Sequence, residues 1–228
     1  MRRANGHGPV AVLFDIDGTL ITTGGAGAVA WRRAFEDLYG IPADIGASSD
    51  AGMTDPEVGL RTFVDALGRK PRRGELERVM ERRLAYLPWA VAQSEGYRVL
   101  AGVPELLSQL AEAGYLLGLT TGGVEPAARV KLARAGLNRY FDFGGYGSDA
   151  TDRTELTRRA IERAFLRYGG SLDPSRCLVV GDTPLDVSAA HGAGAIAVAV
   201  ATGHFSAAEL QAAGADHVLD SLEEELPL

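Results

Sequence analysis

The sequence predicts an α/β protein: a Rossmann-like parallel sheet core flanked by helices, with an α-helical segment inserted after the first strand. Three observations carry this. Residues 10–14 form a short, continuous apolar run, and similar runs recur at 116–119, 177–180, 195–200 and 217–219; such runs suit parallel strands covered on both faces. Helical patterns of crossover length alternate with the later runs, which is the signature of a parallel sheet. The stretch 24–96 breaks the alternation, because it holds helical patterns but no convincing strand.

Taken in order, the first run, Val-Ala-Val-Leu-Phe, ends in two aspartates. The insertion carries helical patterns at 28–39, 56–67 and 75–87. Asp55-Pro56 reads as an N-cap followed by a first-turn proline. A helix over 103–113 has Pro104 in its first turn and Gly114 at its end, and the second strand follows at 116–119. Helices at 125–135 and 153–168 stop at Gly136 and Gly169, as glycine favours the left-handed conformation after a last turn. The strand at 177–180 leads to a helix at 184–191, opened by Pro184 and closed near Gly192. A strand at 195–200, a helix at 206–213 and a strand at 217–219 complete the pattern. The expected division is a core of residues 1–23 and 97–228 and a helical domain of residues 24–96.

Composition bounds the partners. The chain has 228 residues, enough for one large domain or one domain with an insertion. Hydrophobic residues are 46% and charged residues 23%, ordinary for a globular protein and unlike a fibrous or disordered one. The formal net charge of −7 argues against coating nucleic acid or an anionic membrane. Arg2 and Arg3 precede an apolar stretch too short for a signal-peptide core, and the weakly polar run 192–203 is too short to span a bilayer. The single cysteine, Cys177, can form no intrachain disulfide, which fits a reducing compartment, with the cytoplasm as the expectation.

The chemistry concentrates at strand ends. Ligands of open parallel sheets bind beyond the carboxyl ends of the strands, where this sequence places Asp15-Ile16-Asp17-Gly18-Thr19-Leu20 and Gly181-Asp182-Thr183-Pro184-Leu185-Asp186. An Asp-Gly turn explains the first in isolation, and Thr183-x-x-Asp186 resembles a capping box that uses Asp186 alone. Asp182 has no such explanation. If the two junctions are adjacent, their carboxylates share one crevice, where two charges about 4 Å apart repel by about 4 kcal/mol at an effective dielectric of 20. Such a cluster calls for a cation, and all-oxygen ligands favour Mg²⁺. Between these junctions, Thr120-Thr121-Gly122-Gly123 offers a hydroxyl and open backbone N–H groups for an anionic oxygen.

This pattern resembles the haloacid dehalogenase-like hydrolase superfamily, whose members carry Asp-x-Asp-Gly-Thr on the first strand, Thr or Ser ending the second, a Lys or Arg, and a late acidic Gly-Asp-x-x-x-Asp. The resemblance covers residues 9–21 and about 97–220, and residues 102–107, Gly-Val-Pro-Glu-Leu-Leu, look like the phosphoglycolate phosphatase branch, whose helical cap the insertion matches. Of the basic residues, Arg153 occupies the place usual for the family, and Lys131 is the alternative.

The resemblance implies Asp15 as nucleophile and Asp17 as general acid and base. It implies Mg²⁺ held by Asp15, the Asp17 backbone carbonyl and Asp182, with Asp186 supporting metal-bound water. Thr121 and Arg153 would bind phosphoryl oxygens. Asp17 favours a phosphatase over a dehalogenase, because the dehalogenase branch lacks this acid. The expected function is a Mg²⁺-dependent phosphatase of a small phosphomonoester, phosphoglycolate-like or a sugar phosphate, acting through an aspartyl-phosphate. A sugar-phosphate mutase and a non-hydrolytic phospho-accepting or binding module are the alternatives. The expected partner is a small phosphorylated metabolite, with no nucleic acid and no membrane, in a monomer or homodimer.

Other signals receive plainer readings. Gly25-x-Gly27-x-x-Ala30 lies too far past the first strand to bind a pyrophosphate and reads as a hinge. The basic cluster at 68–74 reads as a solvated loop. His7, His191, His204 and His217 show no ligand spacing and receive no catalytic role. Gly52-Met53-Thr54-Asp55 is a cap segment that could descend over the site or merely start a helix.

Overall fold

The computed structural model describes residues 10–45, 51–170 and 173–228; Arg2, Arg3 and His7 lie outside them. Its central sheet has six strands, all parallel, in the order β5-β4-β1-β6-β7-β8. These are β1 (Ala11–Phe14), β4 (Leu116–Thr121), β5 (Gly144–Tyr146), β6 (Cys177–Gly181), β7 (Ile196–Val200) and β8 (His217–Leu219). The first strand lies at the centre, with Phe14 level with Leu119 on one side and Val180 on the other. The acidic junctions after β1 and β6 are therefore neighbours.

The sheet is buried on both faces because its strands are apolar at successive positions. Val12 and Phe14 join one hydrophobic cluster with Leu107, Leu119 and Val180, while Ala11 and Leu13 join another with Ile161, Val179 and Val187. Helices cover the faces: α4 (Val103–Ala113), α5 (Glu125–Ala133), α6 (Arg153–Tyr168), α7 (Pro184–Gly192) and the short α8 (Ala207–Ala212). Truncating a side chain as enclosed as Phe14 costs about 3–5 kcal/mol.

Strand β5 escapes the sequence pattern. Its Gly144-Gly145 has no apolar side chains, for a steric reason: a Cβ on Gly145 would sit 1.8 Å from the Leu156 carbonyl oxygen of α6. Close approach of the helix has removed the residues that would mark the strand.

Two further short strands, β2 (Ile21–Thr23) and β3 (Tyr97–Val99), pair antiparallel and stand where the chain leaves and rejoins the core. Between them run α1 (Ala26–Tyr39), α2 (Asp55–Leu67) and α3 (Glu75–Gln93). These helices have their own core of Trp31, Phe35, Phe63 and Val79, with Phe35 and Phe63 ring centroids 5.3 Å apart, edge to face. Helix α3 continues through Pro88 beyond the expected stop at 87, because Ala90 and Val91 are buried against α1 and α5. The N-cap of α2 is Thr54, and Asp55 is already helical, its carboxylate engaged elsewhere. Among the described residues, no helix is long and apolar enough to cross a membrane.

Candidate active site

A cleft of about 450 Å³ opens between the carboxyl ends of β1, β4 and β6 and the helical insertion. Asp15, Asp17, Thr121, Arg153 and Asp182 all line it. Asp186 lies behind them, 3% exposed and bonded to Arg153. The expected residues, distant in sequence, thus converge, as the adjacency of β4, β1 and β6 requires.

Asp15, Asp182 and Asp186 form a buried acidic cluster with carboxylate oxygens within 4.8 Å of one another. Asp182 is held by Thr19, which donates to it at 3.0 Å. Its carboxylate fits only because positions 18 and 203 carry no side chain: a Cβ there would approach Asp182 Oδ2 to 2.3 and 1.8 Å. Gly18 also has φ +83°, so the Asp-Gly-Thr glycine answers both a turn and a steric demand. Asp186 forms the expected capping box with Thr183 on α7, accepting from the Thr183 backbone at 3.0 Å and its hydroxyl at 2.7 Å. Asp186 thus caps α7 through Oδ2 while Oδ1 takes Arg153, and the capping box does not keep it out of the acidic cluster.

Arg153 is the cluster's counter-charge. Asp152 caps α6 by accepting from Glu155 N, and Thr157 fixes the first turn by donating to the Arg153 carbonyl at 2.8 Å while meeting Thr120 of β4 at 2.9 Å. The guanidinium donates to Asp186 Oδ1 through Nε at 2.9 Å and Nη2 at 2.5 Å, and Nη2 lies 3.1 Å from Asp15. Its Nη1 donates to the carbonyl of Gly52 in the insertion at 2.8 Å. Burial opposes its charge, but Asp186 and Asp15 outweigh burial and hold it protonated. Although it opens a helix, Arg153 is buried.

One arginine does not balance three acids. Burial pushes Asp15 up to about 6, against the pull of Arg153 and with a further push from Asp186 and Asp17. Burial and the charges of Asp15 and Asp186 push Asp182 up to about 8. Excess negative charge in an all-oxygen donor set fits a hard divalent cation, as Mg²⁺ requires.

Asp17 is not one of the three carboxylates in this cluster. Its side chain is 43% exposed and pairs with Lys131 Nζ at 2.5 Å. Lys131, part-way along α5, thus reaches the cleft as Arg153 does, and its backbone carbonyl is held by the Tyr97 hydroxyl at 2.8 Å. Thr121 is buried at the end of β4 and accepts from Gly123 N at 3.3 Å.

The insertion contributes directly. Gly52, Met53 and Asp55 line the cleft, Asp55 N donates to the Gly122 carbonyl at 2.8 Å, and Val124 N donates to Asp55 Oδ2 at 2.9 Å. Of the plainer readings, Gly25 is the positive-φ start of α1, and Arg69 in the basic cluster is clamped by Glu75 at 2.7 and 2.9 Å. Arg98, Thr22, Thr23 and Thr202 line the cleft with no sequence signal of their own, and His204, which received no role from the sequence, lines it too. His204 and Thr202 arrive through the loop after β7, and only adjacency of β6 and β7 reveals them.

A family model described as haloacid dehalogenase-like hydrolase matches residues 10–194. The chain belongs to this family. Among curated relatives, the hydrolase is 29% identical over 220 residues to a "probable phosphatase IndB" of Dickeya dadantii, covering 93% of this chain and 90% of the relative. It is 29% identical over 214 residues to a phosphoglycolate phosphatase of Synechococcus elongatus, covering 92% of each. Among solved structures, CbbY from Rhodobacter sphaeroides in complex with phosphate superposes with a TM-score of 0.75 at 21% identity, over 95% of this chain and 96% of that one. That likeness shows the fold.

Proposed function

We propose that this hydrolase is a Mg²⁺-dependent phosphatase of a small phosphomonoester, phosphoglycolate-like or a sugar phosphate. The observation that carries the reading is the buried Asp15–Asp182–Asp186 cluster with Arg153 as its counter-charge, open to a cleft of small-molecule size. Asp15, Asp182, Asp186 and the Asp17 backbone carbonyl are the residues that would hold or support the metal. When bound, Mg²⁺ supplies charge neutralisation at the phosphoryl oxygens.

In this reading an Asp15 carboxylate oxygen attacks phosphorus, the P–O ester bond breaks, and Asp17 gives its proton to the departing oxygen. Water then attacks the aspartyl-phosphate and passes a proton to Asp17, releasing phosphate and restoring both acids. Thr121 and a basic residue bind the phosphoryl oxygens. Arg153 already spends its donors on Asp15, Asp186 and Gly52, which supports a second cation, Lys131, beside it in that role. Residues 24–96 act as a cap that excludes water from the reacting centre. The buried, unpaired Cys177 suits a reducing cytoplasm.

Phosphate release from phosphoglycolate, sugar phosphates, nucleotides and an aryl phosphate, with Mg²⁺ or chelator, tests this. Release that needs the metal and disappears in Asp15→Asn is expected. Absence of release from every ester by the native protein rejects the phosphatase.

A further inference from the structure

Nearly every charged side chain facing the cleft already has a partner. Arg153 is bound to Asp15 and Asp186, Lys131 to Asp17, and Asp55 to Arg83. Asp182 is committed to Thr19 and the acidic cluster. Among the described residues, Arg98 is the one arginine or lysine lining the cleft with neither an acidic partner nor a hydrogen bond to the protein.

The place of Arg98 is set by strand alternation. In β3, paired with β2 so that Arg98 stands opposite Thr22, Tyr97 turns inward to the backbone of α5. Successive side chains of a strand point to opposite faces, so Arg98 turns the other way, and Arg98 and Leu100 both reach the cleft. Lys131, Thr22 and Thr23 line the same cleft. A cationic guanidinium, exposed and uncommitted, thus stands on the strand pair opposite Thr22, at the junction of core and insertion. The three-carboxylate cluster and Arg153 belong to the end where phosphorus reacts, so Arg98 is available to the rest of the substrate.

We propose that Arg98 is a specificity-determining residue that binds an oxyanion on the non-reacting end of the substrate, so that the preferred phosphomonoester carries a carboxylate or a second phosphate. This rests on the phosphatase reading and narrows its substrate class. A guanidinium forks onto two oxygens of either group, and a neutral tail gains nothing from it.

The test compares phosphoglycolate, a sugar bisphosphate and ethyl phosphate as substrates for the native protein, Arg98→Gln and Arg98→Lys. Arg98→Gln is expected to lower kcat/KM for one or both anionic-tailed substrates about tenfold relative to ethyl phosphate, chiefly through KM, with Arg98→Lys recovering part. The arm that responds distinguishes carboxylate from phosphate. An equal loss on all three means a general field effect and overturns the proposal, as does no change. Calorimetric binding of phosphoglycolate, a sugar bisphosphate and ethyl phosphate to Asp15→Asn and to Asp15→Asn/Arg98→Gln separates the two readings. Preference for the anionic tail that vanishes with Arg98 upholds this inference even if the native protein turns nothing over. Absence of that preference overturns it even if hydrolysis is established.

Discussion

Asp55, the first residue of α2, accepts a hydrogen bond from Arg83 of α3 at 2.7 Å and from the backbone of Val124 at 2.9 Å. One carboxylate oxygen therefore ties two helices of the insertion to the loop that follows Thr121. Arg83 is 2% exposed and lies 5.0 Å above the Trp31 ring, so the guanidinium is insulated from water.

Removing one partner of such a pair strands a buried charge and costs about 3–5 kcal/mol. Arg83→Met is expected to lower Tm by about 10 °C, at about 2–4 °C per kcal/mol for a chain of this size. Asp55→Asn in the same background should recover part of the loss. Thermal unfolding of the two variants checks this; equal melting of native and Arg83→Met would deny the pair its structural part.

The acidic cluster predicts stabilisation by Mg²⁺. Three carboxylates around one arginine repel one another until a cation enters, and a ligand held at 100 times its Kd stabilises by about 2.7 kcal/mol. Saturating Mg²⁺ should raise Tm by about 5–10 °C, and Asp182→Asn should abolish most of the rise. Identical melting in Mg²⁺ and chelator would count against the metal site.

Cys177 opens β6 in the centre of the sheet, and burial, reinforced by Asp173 and opposed by Arg176, pushes its thiol up to about 12. The thiolate is the reactive form, so a thiol reagent at mildly alkaline pH should leave the folded chain unlabelled and modify it fully in denaturant. Rapid labelling of native protein would contradict the enclosure of β6.

Asp149, just beyond β5, is gripped by Arg163 of α6 at 2.7 Å on both oxygens and accepts from Tyr146 N at 3.0 Å. The Arg163 hydrogen bonds outweigh partial burial and hold its carboxyl below the ordinary value. The unfolded chain then binds the proton more readily. The pair contributes its full stability above the unfolded pKa of about 4 and loses it as pH falls through the lower folded value. As a partly exposed pair it is worth about 1 kcal/mol. Asp149→Asn should lower stability at neutral pH and flatten the acid side of the stability profile, measured by denaturant midpoints.

The sheet was legible wherever strands carry their own apolar side chains. Residues 10–14, 116–119 and 177–180 announce β1, β4 and β6, and the carboxylates that follow announce the site. Gly144-Gly145 is silent because the space its side chains would fill is taken, at Gly145 by α6 and at Gly144 by Leu119 of β4 and the Tyr146 ring. Lys131 and Arg98 show the same limit at the site. Each sits in the middle of an element whose neighbours say nothing of chemistry, and only the folded placement of α5 and of the β2–β3 pair brings their side chains to the cleft. Asp55 reads locally as a helix cap, while its real partners lie 28 and 69 residues away.

Arg153 touches the nucleophile candidate Asp15 and the Gly52 carbonyl of the insertion with different nitrogens. Lifting the Gly52 segment leaves Nη1 without its acceptor in a residue only 8% exposed, and an unmet buried donor costs about 1–3 kcal/mol. Water must take the vacated place. One guanidinium thus joins the Gly52 segment to Asp15 and Asp186, so the hydration of the two acids is tied to the contact that Nη1 makes with the insertion.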